Sequence, residues 1–229
     1  MKKVLPILAI SLICATSVYA ATSLNTDAEK LSYAMGFKTG QAIKTQSVTI
    51  NTQDFSKGLQ DGYTGQKSAM SDADMQTVLT AMQKQMVAKM QQKFTQAEQD
   101  NLKAGQDFLT ENAKKPGVVT LPDGLQYKIL DAGKGESPTA NETVTVNYEG
   151  KLINGTVFDS SYKRGQPATF QVGQVIKGWQ EALKLMKPGA TWMLYIPSNL
   201  AYGERGSMGA IGPNETLIFK VDLLSVKKS

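Results

Sequence analysis

The chain has 229 residues, a formal charge of +5, a single cysteine and no histidine. His-based triads and the usual zinc sites are excluded by that composition. Once Cys14 leaves with the leader described next, so are thiol nucleophiles, and any catalysis must use carboxylates, hydroxyls or no proton transfer at all. The mild positive balance contains no basic cluster with interleaved aromatics, which argues against a nucleic-acid groove.

Residues 1–20 read as an export leader. Lys2 and Lys3 form a positive start, Val4 to Ala15 an apolar stretch too short to span a bilayer comfortably, and Val18-Tyr19-Ala20 puts small residues where a signal peptidase reads. Cleavage is expected after Ala20. A retained membrane anchor is the competing reading. A lipoprotein reading places Cys14 at the acylation site, but Ile13 stands where a small residue is expected. Cleavage leaves 209 residues and removes Lys2 and Lys3, so +5 becomes +3. An exported chain without cysteine has no disulfides and must be stabilised by packing and association. No later apolar run approaches the length of a spanning helix.

Residues 27–113 have helical periodicity. Asp27 to Thr45 carries Leu31, Met35, Phe37 and Ile43, and Thr52 to Tyr63 places Phe55, Leu59 and Tyr63 four apart on one face. Val48 and Ile50 suggest a short extended turn between them. Ser71 with Asp74 three residues on opens a third helix. Its Met75, Val78, Leu79, Met82, Met86, Met90 and Phe94 recur at threes and fours until Pro116 enforces a stop. A helix of about forty residues is about 60 Å long and cannot bury that stripe on itself. The stripe fits a core or dimer seam better than an adaptable Met-rich binding surface. The polar stretch Gln96 to Gln106 reads as a spacer crossing solvent.

Beyond Pro116 the period becomes two. Gly124 to Leu130 and Thr143 to Tyr148 alternate, Lys151 to Phe158 reads as a return strand turning at Asn154-Gly155, and Ala168 to Val172 is a further short strand. Gly178 to Met186 is a short helix with Trp179, Ala182, Leu183 and Met186 on one face, stopped by Pro188-Gly189. Strands Thr191 to Ile196 and Thr216 to Val226 flank a long loop at 197–215. The fold class is α+β: an all-helical N-terminal region, a long connecting helix and a C-terminal antiparallel sheet with one short helix.

Five motifs in this region carry a specific resemblance. Val146-Asn-Tyr-Glu-Gly150, Gly155-Thr-Val-Phe-Asp-Ser-Ser161, Gln174-Val-Ile-Lys-Gly-Trp-Gln-Glu-Ala182, Leu200-Ala-Tyr-Gly203 and Leu217-Ile-Phe219 resemble, in order and spacing, the FK506-binding-protein (FKBP-type) peptidyl-prolyl isomerases over residues 116–229. The whole chain resembles the macrophage infectivity potentiator (Mip) class of that family, through Leu31-Ser-Tyr-Ala-Met-Gly36, the long helix, and Phe108-Leu-Thr-Glu-Asn112 leading into Lys115-Pro-Gly-Val118. The resemblance implies a leader at 1–20, a helical dimerisation domain at 21–70, a connecting helix at 71–115 that holds the catalytic domain away from the dimer, and an isomerase domain at 116–229. It implies a half-barrel sheet around the short helix, a homodimer joined through the N-terminal helices, and export to the periplasm, the outer membrane or the cell surface. A role in infection is also implied. Proline-containing polypeptides would be substrates, FK506 or rapamycin ligands, and no metal or other cofactor is expected. The family's Met-rich dimer contact is replaced here by Phe55 and Leu59.

Carried over by motif, Trp179 forms the floor of the site and Tyr148, Phe158 and Phe219 its walls. Val175 and Ile176 form an edge, with the Ile176 N–H facing the ligand. Asp159 and Tyr202 are the polar members, Ile211 lies on the overhanging loop, and Arg164 pairs with the Asp. Ala168, Gln174, Ser207 and Ala210 depart from the pattern of the small single-domain members. The chemistry suits a chain without His or Cys. Rotation about X–Pro meets a barrier near 18–20 kcal/mol because amide resonance is lost, no bond breaks, and an apolar aromatic pocket favours the less charge-separated twisted state. The second class of function is a dimeric chaperone or host-polypeptide binder in which isomerisation is secondary.

Overall fold

The computed structural model describes residues 23–46, 48–207 and 209–228; the leader reading, Cys14 included, lies outside them. It divides into two compact units, the first ending at Val78 and the second beginning at Leu79.

Helix α1 (Asp27–Thr45) starts in a capping box. The Thr26 hydroxyl accepts from the Glu29 N–H at 3.2 Å, and the Glu29 carboxylate takes the Thr26 N–H at 2.8 Å. Helix α2 (Thr52–Thr64) is capped by Asn51 and ends on Gly65, whose φ of +68° is the left-handed cap that glycine adopts without strain. Helix α3 (Asp72–Asn112) opens at Ser71, whose Oγ accepts from the Asp74 N–H at 3.1 Å. Neither α1 nor α2 buries a single residue, and Leu31, Met35, Phe37, Phe55, Leu59 and Tyr63 are all exposed.

In the second unit the end of α3 overturns the expectation of a solvent-crossing spacer. Ala97, Glu98, Asn101, Gly105, Phe108, Leu109 and Asn112, spaced at the helical period, are the residues withdrawn from water. They dock through amides and a glycine as much as through apolar side chains, so hydropathy alone reads the segment as solvated. Asn112 is fully buried and donates to Gln126 Oε1 at 2.9 Å, and Gln126 returns a bond to the Leu109 carbonyl at 2.8 Å. That reciprocal pair fastens the last helical turn to the sheet.

The sheet has seven antiparallel strands: β1 (Val118–Thr120), β2 (Gln126–Asp131), β3 (Thr143–Leu152), β4 (Val157–Ser160), β5 (Ala168–Gln171), β6 (Thr191–Ile196) and β7 (Leu217–Lys227). They are ordered β1-β2-β6-β7-β3-β4, with β5 beside the first half of β3 and β4 beside its end. Strict alternation along β3 sends Val144, Val146, Tyr148, Gly150 and Leu152 inward. There they meet Leu194, Ile196, Leu217, Phe219 and Val221 in one core, together with Trp179, Ala182, Leu183 and Met186. These last four belong to α5 (Lys177–Leu185) and its C-cap.

The Lys151–Phe158 reading needs adjustment. β3 continues through Leu152, and only Val157 onward returns. Gly155 alone takes positive φ (+87°), while Asn154 contributes its side chain, accepting the Thr156 N–H at 2.9 Å. A four-residue helix, α4 (Ser161–Arg164), follows β4 and escapes sequence periodicity because it is one turn long.

Helix α5 lies close on the sheet because Gly178 faces Ile196: a Cβ there would stand 2.5 Å from Ile196 Cγ2. Gly178→Ala is therefore expected to lower stability by about 1–3 kcal/mol through overpacking, read as a reduced urea midpoint at unchanged slope.

Candidate active site

Between α5, β3, β4, β7 and the loop after β6 lies a cavity of about 340 Å³, lined by Tyr148, Phe158, Asp159, Phe170, Gln174, Val175, Ile176, Trp179, Tyr202 and Phe219. Trp179 is buried at its base and surrounded edge-on. Tyr148 stands at 5.4 Å and 90°, Phe219 at 5.2 Å and 83°, and Phe170 at 5.9 Å and 84°. Edge-to-face contacts set the positive rim of one ring against the negative face of another, each contributing about 0.5–1.5 kcal/mol beyond burial. The indole Nε1 is buried without a hydrogen-bond partner.

Two backbone features admit this cluster. Gly150 leaves room where a Cβ would meet Phe219 Cε1 at 2.6 Å and Phe158 at 2.7 Å, and those two rings pack edge-to-face at 5.5 Å. The register shifts between Gly150↔Asp159 and Lys151↔Val157, leaving Phe158 as an extra residue in β4. In a regular strand, neighbours point to opposite faces; a bulge re-aims one of them. Phe158 and Asp159 both line the cavity for that reason.

The polar side is a three-membered network. The Tyr148 hydroxyl donates to Asp159 Oδ2, Arg164 Nη1 donates to Asp159 Oδ1, and Arg164 Nη2 donates to the Tyr148 oxygen at 2.9 Å, with the guanidinium 5.5 Å from the Tyr148 ring centre. Burial works to raise the Asp159 pKa, but the bonds from Tyr148 and Arg164 and the Arg164 charge outweigh it, and the carboxyl sits below its ordinary range. Burial first, then the bond to Asp159, lifts the Tyr148 phenol above its own.

The sequence-selected residues fall as follows. Tyr148, Phe158, Asp159, Val175, Ile176, Trp179, Tyr202 and Phe219 all line the one cavity. Ile176 is the N-cap of α5, and Tyr202 is half-exposed at the rim. Arg164 does not line the cavity. It closes α4 and reaches the site through Asp159 and Tyr148. Ile211 belongs to the core cluster beneath the loop and is absent from the cavity wall. Sequence selection missed Phe170 as a wall, although alternation along β5 puts it on the same face as Ala168. Gln174, noted only as a departure, also lines the cavity. Among the described residues no group of three or more His, Cys, Asp or Glu is arranged to hold a metal ion.

This geometry agrees with comparison to known proteins. Residues 134–224 match the family described as FKBP-type peptidyl-prolyl cis-trans isomerase, and residues 28–129 match the domain amino terminal to it. The chain is 57% identical to the peptidyl-prolyl cis-trans isomerase Mip of Coxiella burnetii, over 98% of both chains. It is 50% identical to the outer membrane protein MIP of Legionella longbeachae, over 97% of this chain and 96% of that one. The crystal structure of FkpA from Escherichia coli superposes with a TM-score of 0.73 at 37% identity, covering 90% of this chain and 99% of that one. The chain belongs to the Mip class of FKBP-type peptidyl-prolyl cis-trans isomerases, and the α+β fold is theirs.

The depressed Asp159 pKa fixes the sign of a pH effect. Its contribution is fully present above the ordinary carboxylate pKa of about 3.9 and is lost as pH falls through the lower folded value. Arg164→Ala removes one bond and the charge, so the Asp159 carboxyl is expected to titrate at higher pH than in the unaltered protein. An NMR titration of that carboxyl checks this; identical curves would contradict the network.

Proposed function

We propose that the cavity is the isomerase site and that it acts on X–Pro bonds in exported polypeptides, assisting the folding of periplasmic, outer-membrane or surface proteins. The observation that carries this reading is the apolar floor of Trp179 ringed by edge-on aromatics, with a charge-balanced polar cluster confined to one wall. A proline ring lies on the indole face. The twisted imide, less charge-separated than the planar one, loses less by leaving water than the ground state does. Lowering the barrier by ~5–7 kcal/mol turns a process of tens of seconds into milliseconds. Asp159, held ionised by Arg164 and Tyr148, orients the peptide at the rim, and Tyr202 donates to a substrate carbonyl. Ligands of the FK506 and rapamycin type occupy the same floor.

Assembly as a homodimer through the first unit is part of the proposal. A fully buried Leu- or Phe-sized side chain contributes about 1.5–3 kcal/mol, and short helices are marginal in water without tertiary packing. Unit one exposes Leu31, Met35, Phe37, Phe55 and Leu59 and has no buried residue in α1 or α2. A second copy covers that surface, in keeping with the match to the amino-terminal domain and the likeness to FkpA. Localisation follows the leader reading, and an outer-membrane association is suggested by the name of the Legionella longbeachae relative. Among the described residues no helix is long and apolar enough to cross a membrane.

In a peptide isomerisation assay the whole chain is expected to accelerate X–Pro exchange and to be blocked by FK506 or rapamycin. Trp179→Ala should lose at least about tenfold in kcat/KM, and Asp159→Leu somewhat less. A rate equal to buffer rules out the isomerase reading. Sedimentation equilibrium at micromolar concentration is expected to give twice the monomer mass, falling to one with Leu59→Glu; a monomeric unaltered chain removes the dimer.

A further inference from the structure

The loop that carries Tyr202 over the cavity has little secondary structure of its own. Among its described residues between Pro197 and Glu215 it contains two single-turn 3-10 helices, Ser198–Leu200 and Gly203–Arg205, and one isolated bridge, Ser207↔Ile211. Segments with few internal bonds open at low free energy, so the pose of this loop depends on what it rests against. It rests on α3.

Three contacts make that seat. Asn101 Nδ2 donates to the Pro213 carbonyl at 2.8 Å. Asn214 Nδ2 donates to the Glu98 carbonyl at 3.5 Å. Gly105 lies against Thr216, where a Cβ would stand well inside van der Waals contact with Oγ1. Gly105, Asn214 and Thr216 are all buried.

Asn214 passes the contact onward. Its φ of 53° makes it the only non-glycine at positive φ among the described residues, a conformation that its side-chain bonds stabilise. Its Oδ1 accepts from Ser198 Oγ at 3.4 Å, and its N–H donates to the Gly203 carbonyl at 2.9 Å, one residue from Tyr202. A continuous path of hydrogen bonds therefore runs from the α3 backbone to the cavity rim.

We propose that Asn101, Gly105 and Asn214 are positioning residues for isomerisation, which hold the 201–216 loop on α3 and thereby set Tyr202 over the cavity. They touch no substrate and act through the loop. The C-terminal part of α3 is then a support for the site as well as for the sheet. This rests on the reading of the cavity as the isomerase site.

The test uses the whole chain and two readouts, peptide isomerisation kinetics and amide hydrogen exchange. Asn101→Ala should lower kcat/KM about fivefold, as loss of one partly buried hydrogen bond would. Exchange should rise in the 203–215 amides while those of β3 and β7 stay protected. Gly105→Ala should do at least as much, and adding Thr216→Ala, which removes the Oγ1 and leaves the nearest atom at 3.2 Å, should restore kcat/KM to within about twofold. Should Gly105→Ala fail to fold, Asn101→Ala decides. Unchanged kinetics with a loosened loop would make the contact purely structural and overturn the proposal, as would slower kinetics with unchanged exchange. An inactive unaltered chain instead refutes the isomerase reading, and the exchange arm still reports whether α3 holds the loop.

Discussion

The edge-on packing of three rings around the Trp179 indole is the constraint on which the rest of this domain depends. Each ring comes from a different element: Tyr148 from β3, Phe170 from β5 and Phe219 from β7, with Trp179 itself on α5. Satisfying all three contacts at once fixes the distance of the helix from the sheet and the curl of β3, and those in turn require glycine at 150 and 178. The same arrangement keeps the buried indole among the residues that line the cavity. The packing that stabilises the core and the floor of the proposed isomerase site are parts of one cluster.

Around this apolar floor the polar groups are few and mutually satisfied. Asp159 is positioned by the bulge at Phe158, neutralised by Arg164 and bonded by Tyr148, so the cavity carries a fixed dipole on one wall and no unpaired charge. That suits a reaction whose barrier is torsional. A general acid or base would add nothing to a rotation that breaks no bond, and the absence of histidine is no handicap to it.

The two units solve the problem of burial differently. The second encloses a continuous core under a seven-stranded sheet. The first has capped helices but, among its described residues, no buried side chain, so its well-formed helix ends specify local structure while its apolar faces call for a partner surface. The proposed homodimer supplies one. The C-terminal part of α3 is different again, for it packs on its own catalytic domain through Asn101, Gly105 and Asn112.

Local order in the chain determined a good deal without help. Periodicity of 3.6 and 2, the Thr26 and Ser71 caps, and Pro116 as a stop place three helices followed by an antiparallel sheet, because each signal acts within a few residues. The five motifs bring Trp179, Tyr148, Phe158, Asp159, Tyr202 and Phe219 to attention through their resemblance to the FKBP-type isomerases, each motif being only a few residues long. Only the tertiary structure decided the rest. A bulge is a relation between two strands, so nothing local announces that Phe158 and Asp159 share a face. Phe170 becomes a wall only when β5 pairs with β3, and Arg164 reaches Tyr148 across sixteen residues of chain. The docking of α3 is carried by amides and a missing Cβ, which hydropathy scores as solvated. Their meaning lies in partners outside the helix, Gln126 just beyond it and Pro213, Asn214 and Thr216 more than a hundred residues away.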